Sequence, residues 1–250
     1  MTKIILNGCN GKMGYAVARC VAERSNCEIV AGVDINTNVE QKFPVVSDIN
    51  DVKGDVIIDF SHPSSLPKLL EYAVNTKTPL VVATTGLSDA DIENIKSASK
   101  VVPVFFTFNM SLGINLLVEL SKTAAKVLGE QFDIEIIEKH HNQKIDAPSG
   151  TAIMLANAIN SINDYKYTYE YNRQSKREKR DINEIGIHAI RGGSIVGEHD
   201  VIFAGHDEVI TLSHSAGSKE IFAVGAVNAA LFIRDKDNGL YDMKNLIDSI

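Results

Sequence analysis

Five apolar runs punctuate residues 1–110: KIILNG (3–8), EIVAGVD (28–34), DVIIDF (55–60), PLVVATTG (79–86) and VVPVFFTF (101–108). Unbroken apolar runs, rather than alternating ones, belong to strands buried on both faces. The stretches Lys12–Glu23, Leu66–Val74 and Ser88–Ser99 between them read as helices. The last opens with Ser88 and Asp91 as a capping pair ahead of Ile92 and Ile95. Strands alternating with helices predict an α/β unit whose parallel sheet is covered on both sides.

The pattern changes after residue 110. SLGINLLVELSKTAAKVLG (111–129) places Leu116, Leu117, Leu120, Ala124, Val127 and Leu128 at helical spacing. FDIEIIEKH (132–140) alternates as a half-buried strand, and Thr151–Ile159 reads as a helix. EIGIHAIR, DVIFAG and EVITLSH are strand-like, the last two forming a hairpin through Gly205-His206-Asp207. These segments predict a second, α+β domain over residues 111–218 with a mostly antiparallel or mixed sheet. From Lys219 onward the chain reads as helical again, and residues 219–250 are expected to complete the first domain. IFAVGAVNAALFI (221–233) is too short to span a bilayer and is expected to be a buried amphipathic helix.

The net charge of −7 argues against a nucleic-acid partner, and the basic run RQSKREKR (173–180) reads as a solvated loop. Cys9, Cys20 and Cys27 are odd in number and form no CxxC, so neither a disulfide framework nor a zinc knuckle is expected. With no signal-peptide pattern in MTKIILNGCNGK, a cytoplasmic location and no membrane partner are expected.

LNGCNGKMG sets Gly8, Gly11 and Gly14 between the first strand and the first helix. Glycines there permit a tight turn and close approach of backbone to a pyrophosphate, and the helix N-terminus supplies N–H donors. Asp34 ends the second strand ~20 residues beyond the third glycine, where a carboxylate meets an adenine-ribose diol. Strand, loop, helix, strand and acid in this order predict a Rossmann-like dinucleotide-binding domain. A carboxylate repels a 2′-phosphate, so Asp34 favours NAD(H) and leaves NADP(H) as the second option. DFSHPSS (59–65), Ala83-Thr84-Thr85 and Asn109 follow strand C-termini, where ligands of open α/β sheets bind.

EKHHNQKIDAPSGTA (138–152) gathers His140, His141, Lys144 and a Ser149-Gly150-Thr151 helix start. The helix start offers N–H groups to a carboxylate, and Lys144 offers a point charge or a proton. Adjacent histidines on an extended segment point to opposite sides, and no HExxH accompanies them, so no metal site is expected.

Together GCNGKMG, DFSHP, ATTGL, NMSLGIN, EKHHNQKIDAPSGTA, IRGGSIVGEHDVIF and HSAGSKEIFAVGAV make the whole chain resemble the dihydrodipicolinate reductase family. That resemblance implies an NAD(P)H-dependent reductase of lysine and diaminopimelate biosynthesis acting on a cyclic imine dicarboxylate, and a homotetramer built through the second domain's sheet. It implies His140 as proton donor or acceptor and Lys144 as second proton donor. It implies His141, Gly150 and Thr151 as carboxylate-binding residues. Cofactor contacts would fall on Gly8, Cys9, Asn10, Gly11, Lys12 and Met13, on Asp34, on Ala83, Thr84 and Thr85, and on Thr107, Phe108, Asn109 and Met110. Phe108 departs from the small residue common there in the family. Hinges are expected near Asn109–Ser111 and near Ser218.

Other readings predict different residues. An aspartate-semialdehyde dehydrogenase needs a nucleophilic cysteine well past the dinucleotide domain, and every cysteine here precedes residue 28. A non-catalytic redox sensor would keep the glycine loop without needing the His-Lys-Gly-Thr cluster.

Overall fold

The computed structural model describes all 250 residues. The chain runs β1 (Thr2–Asn7), α1 (Lys12–Ala22), β2 (Cys27–Val33), β3 (Val45–Val46), β4 (Val56–Asp59), α2 (Leu66–Thr76), β5 (Leu80–Val82), α3 (Asp89–Ser99) and β6 (Pro103–Phe106). Then follow α4 (Leu112–Leu128), β7 (Asp133–His140), α5 (Gly150–Ser161), β8 (Thr168–Glu170), β9 (Glu184–Arg191), β10 (Glu198–Ala204) and β11 (Val209–Ser215). The chain ends with α6 (Glu220–Ile233), β12 (Gly239–Tyr241) and α7 (Met243–Ile247). Contacts divide it into two compact units, Met1–Leu112 with Lys219–Ile250, and Gly113–Ser218.

The first unit holds a seven-stranded sheet in the order β12-β6-β5-β4-β1-β2-β3, every pairing parallel. Side chains of a strand alternate between faces, and here both faces are dry. Ile4, Leu6, Val56, Ile58, Val81 and Phe105 pack with α1, α6 and α7 on one side. Ile5, Ile57, Leu80, Val82 and Val104 pack with α2 and α3 on the other. This is why the strands read as unbroken apolar runs. Each fully buried Ile or Leu contributes about 2 kcal/mol of burial free energy. The capping box expected at α3 forms, with the Ser88 hydroxyl accepting from the Asp91 N–H and the Asp91 carboxylate accepting in return.

In the second unit the sheet order is β11-β10-β7-β9-β8. β11–β10 and β10–β7 are antiparallel, whereas β7–β9 and β9–β8 are parallel. The sheet is evenly mixed rather than mostly antiparallel, because α5 and the segment after it return the chain to run β9 alongside β7 in the same direction. One face, with Ile134, Ile136, Ile185, Ile187, Val201 and Phe203, packs on Ile114 and Leu117 of α4 and Leu155, Ala156 and Ile159 of α5. The expected hairpin joins β10 to β11, pairing Ala204 with Val209.

Three further departures from the sequence reading concern short strands and the faces of two helices. β3, β8 and β12 have only two or three residues, too few to show a period. The stretch after α6 therefore contains a strand as well as helix. Of the stripe read along α4, Leu117 is buried, but Leu116, Leu120 and Val127 are exposed. α6 is buried around most of its circumference, through Ala223, Gly225, Ala226, Val227, Ala229, Ala230 and Ile233.

Gly225 marks the tightest approach on that helix. A Cβ there would stand 1.7 Å from the carbonyl oxygen of Met110, which is backbone and cannot swing aside. Alanine gains about 1 kcal/mol over glycine in a helix interior, but a clash of this size in a packed core outweighs the gain. Gly225→Ala is expected to destabilise the protein by roughly 2 kcal/mol in urea unfolding. An unchanged or raised midpoint would show that α6 can move away.

Candidate active site

In the first unit the glycine loop lies between β1 and α1. Gly8 has φ +77, a left-handed conformation, and a Cβ there would lie 2.6 Å from the carbonyl oxygen of Phe60. A Cβ on Gly14 would lie 2.4 Å from the carbonyl oxygens of both Gly8 and Cys9, so α1 is seated directly on the loop. Gly11 caps the helix without a side-chain hydrogen bond, and the first turn has no acidic residue. Its N–H groups are left for an external anion. Asp34 follows β2 with its carboxylate fixed by two backbone donors, the N–H of Asn10 at 3.0 Å and that of Asn36 at 3.1 Å. Each oxygen keeps a lone pair for a ribose hydroxyl. Gly8, Gly11, Asp34, Phe60, Ser61 and His62 help line a cleft of about 600 Å³. A loop demanding glycine, an open helix start and a fixed strand-end carboxylate fit a nicotinamide dinucleotide.

Behind this cleft lies Asp59, fully buried at the end of β4. It accepts from the Asn7 amide at 2.8 Å, the Ser61 hydroxyl at 2.5 Å and the Thr84 hydroxyl at 2.7 Å. Burial pushes its pKa up, and these donors oppose the rise. Asp59 thereby ties together the ends of β1 and β4 and the residues after β5.

The expected cofactor residues take up different positions. Gly11 and Lys12 are exposed at the loop, Asn10 is half-buried, and Met13 packs on the core. Cys9 is fully buried with Sγ against Gly32, and burial, then the nearby Asp34, pushes its thiol pKa up to about 11. Only its backbone faces the loop's task. Ala83 and Thr84 are buried, whereas Thr85 is exposed. Phe108 is 74% exposed with its ring centroid 5.3 Å from that of Phe106, and Asn109 accepts from the Ser111 N–H at 2.8 Å. Thr107 is half-buried, and the Met110 side chain belongs to the core.

The second unit joins Glu138, His140 and Ser149 of EKHHNQKIDAPSGTA in one network. Glu138 and His140 lie two apart on β7 and so share a face of the sheet. The Glu138 carboxylate is fully buried and lies 2.6 Å from His140 Nδ1. Arg191 on β9 donates to both its oxygens, at 2.8 and 2.7 Å, and the Ser149 N–H donates at 2.9 Å. Burial raises its pKa, but the bonds from Arg191, then His140 and the Ser149 N–H, outweigh that and hold the carboxyl below its usual range. Ser149 caps α5, its hydroxyl accepting from the Ala152 N–H at 3.1 Å, and the same oxygen lies 3.1 Å from His199 Nε2. The His140 and His199 rings meet edge to face at 5.3 Å. Lys144 pairs with Asp146 at 2.9 Å and holds the Asp146 pKa down. Gly150 is exposed with nothing within 4 Å of a built Cβ, so the start of α5 is accessible. His141 and Thr151 are half-buried.

Local sequence patterns do not point to Glu138, Arg191 or His199 as site residues. Glu138 stands two positions before His140, and that parity is the one local signal for it. Nothing local links it to Arg191, 53 positions away. No group of three or more His, Cys, Asp or Glu is arranged to hold a metal ion, and no helix is long and apolar enough to cross a membrane.

A parallel-sheet unit with a dinucleotide loop, and a separate unit carrying a histidine–lysine cluster at a helix start, define a pyridine-nucleotide-dependent oxidoreductase. The family models for the N-terminus and C-terminus of dihydrodipicolinate reductase match residues 2–110 and 113–247. The chain belongs to the dihydrodipicolinate reductase family. It is 55% identical, over 99% of its length and 98% of the relative's, to a 4-hydroxy-tetrahydrodipicolinate reductase of Caldanaerobacter subterraneus subsp. tengcongensis. It is 50% identical to that of Clostridium tetani over 100% of this chain and 98% of the relative. The solved structure of a dipicolinate-bound dihydrodipicolinate reductase from Paenisporosarcina sp. TG-14 superposes with a TM-score of 0.82, at 25% identity, covering 98% of this chain and 99% of that one.

Burial, then the neighbouring His140, lowers the His199 pKa from 6.5 to about 4. A depressed folded pKa means stability is full above pH 6.5 and is lost as pH falls toward 4, because the unfolded chain takes the proton first. The swing amounts to roughly 3 kcal/mol. His199→Gln, which takes no proton, is expected to flatten the stability curve across this window relative to wild type. Parallel curves from urea unfolding would show that His199 is not the group responsible.

Proposed function

We propose that the chain reduces 4-hydroxy-tetrahydrodipicolinate, or its dihydrodipicolinate form, to tetrahydrodipicolinate in diaminopimelate and lysine biosynthesis. The observation that carries this reading is the gathering of His140, Lys144 and the open start of α5 within one segment. It is supported by the full-length likeness to proteins named for the reaction and by a structural neighbour that binds dipicolinate.

The first unit would hold the cofactor through Gly8–Met13, Asp34, Ala83–Thr85 and Thr107–Met110. When bound, the nicotinamide supplies a hydride. The chain's own residues do the rest. The backbone N–H groups at Gly150 and Thr151, with His141, receive a substrate carboxylate. Lys144 places a positive charge where negative charge develops as the ring is reduced. His140, its Nδ1 fixed by Glu138, transfers a proton through Nε2, with Lys144 as the second proton donor. Asp34 favours NADH because its carboxylate repels a 2′-phosphate. A homotetramer fits the second unit's sheet, and the cytoplasm is the location expected of such an enzyme. The sheet's side away from α5 leaves Ile190 and Val209 exposed among the Lys139–Glu198 and Glu135–Arg180 ion pairs, a mixed face that a second copy could cover.

The test is loss of nicotinamide absorbance with dihydrodipicolinate generated in situ by its synthase, NADH and NADPH side by side. Substrate-dependent oxidation, faster with NADH, is expected. Binding of a cofactor without turnover would favour the sensor reading instead. His140→Gln is expected to lower kcat ~10²-fold with a small change in KM, and Lys144→Ala to impair both. A raised KM with intact kcat in His140→Gln would make His140 a binding group.

A further inference from the structure

The geometry points to Glu138 as the positioning residue of this site: one buried carboxylate sets both the orientation of the His140 ring and the placement of the α5 start. The inference rests on the reading of His140 and the α5 start as the working groups.

The argument begins with donors and acceptors. Glu138 is fully buried, carries Arg191 in a two-pronged ion pair and takes the Ser149 N–H. An ionised carboxylate has no proton to give, so His140 Nδ1, 2.6 Å away, must be the donor. The neutral ring is thereby held as the Nδ1–H tautomer with a free lone pair on Nε2. Ring tautomer is set by the bond made at the other nitrogen. Gly197 gives a second, independent constraint. A Cβ there would lie 3.1 Å from His140 Nε2, and its φ is not left-handed, so the space taken by the ring, not the backbone, favours glycine. The ring is thus held from one side by a carboxylate and given room on the other.

The same carboxylate reaches the helix. The Ser149 N–H bonds Glu138 while the Ser149 hydroxyl caps α5, so the position of Gly150 and Thr151 depends on Glu138 as directly as the ring does. Other charged or titratable groups around the ring are Arg191 from β9, His199 from β10 and the Lys144–Asp146 pair from the loop, with His214 of β11 paired in register with His199. None of these makes a hydrogen bond to His140.

The test uses ring-nitrogen NMR of His140 in the full-length protein, with kinetics beside it. In wild type, neutral His140 is expected as the Nδ1–H tautomer. In Glu138→Gln, whose amide can donate as well as accept, the ring signals are expected to move to a mixture. kcat is expected to fall by about tenfold or more and KM to rise with it, whereas His140→Gln moves mainly kcat. Glu135→Gln, on the same strand as Glu138 but facing the other side, where its carboxylate pairs with Arg180 and His188, is the control and should move neither. If Glu138→Gln does not fold, Glu138→Asp keeps the charge for Arg191 but draws back from His140, and it is expected to show the same ring change. A wild-type ring found as the Nε2–H tautomer would overturn the proposal. So would a folded Glu138→Gln protein with unchanged ring signals and kinetics. A wild type that turns over no substrate, yet shows the tautomer and its change, would refute the reductase reading alone.

Discussion

Glu138 is a carboxylate with no access to water, and water is what ordinarily keeps a carboxylate charged. The chain replaces it with four donors: two from Arg191, one from His140 and one from the Ser149 backbone. Breaking such a pair by removing one partner typically costs 3–5 kcal/mol, because the surviving charge is left unsatisfied. The group therefore fixes whatever it touches. It joins the end of β7, the end of β9 and the start of α5 at one point, and the candidate catalytic residues are arranged around that point. Asp59 does the same in the other unit, where it joins the ends of β1 and β4 to Thr84 beside the dinucleotide loop. Each unit thus buries one saturated carboxylate at the C-terminal end of a strand.

The strands can carry these groups because their apolar neighbours hold them rigid. β4 places Val56 and Ile58 on one face and Ile57 on the other, and both faces are dry, so Asp59 is delivered to the strand end without freedom. On β7, Ile134 and Ile136 lie in the core between the sheet and the helices, and Glu138 and His140 continue the same row. A row of side chains that begins in a core and ends at a site changes from packing to chemistry without a change of backbone geometry. This is an economical way to position a proton-transfer group within the tolerance that chemistry requires.

Much of this was legible in local patterns. Unbroken apolar runs announced strands covered on both faces, and the spacing of Gly8, Gly11 and Gly14 before a helix announced the turn. Gly8 with φ +77 and Gly14 against two carbonyls give physical reasons for two of those glycines. The Ser88–Asp91 cap was visible because its partners are three residues apart. The two-residue strand β3 and the three-residue strands β8 and β12 were not visible, since their existence depends on a neighbour to pair with and not on a period of their own. The parallel run of β9 beside β7 was also hidden, because strand direction within a sheet is decided by the path of the connection.

Sequence alone determined what is local: strand and helix periods, the glycine turn, the helix caps, and the concentration of His140, His141, Lys144 and the α5 start in one segment. Tertiary structure alone decided which distant residues share a point in space. Asn7 and Asp59 lie 52 positions apart, and Glu138 and Arg191 lie 53 apart. No propensity or spacing rule links such pairs. They meet because buried charge must find donors wherever the sheet register places them, and that register exists only once the strands have paired.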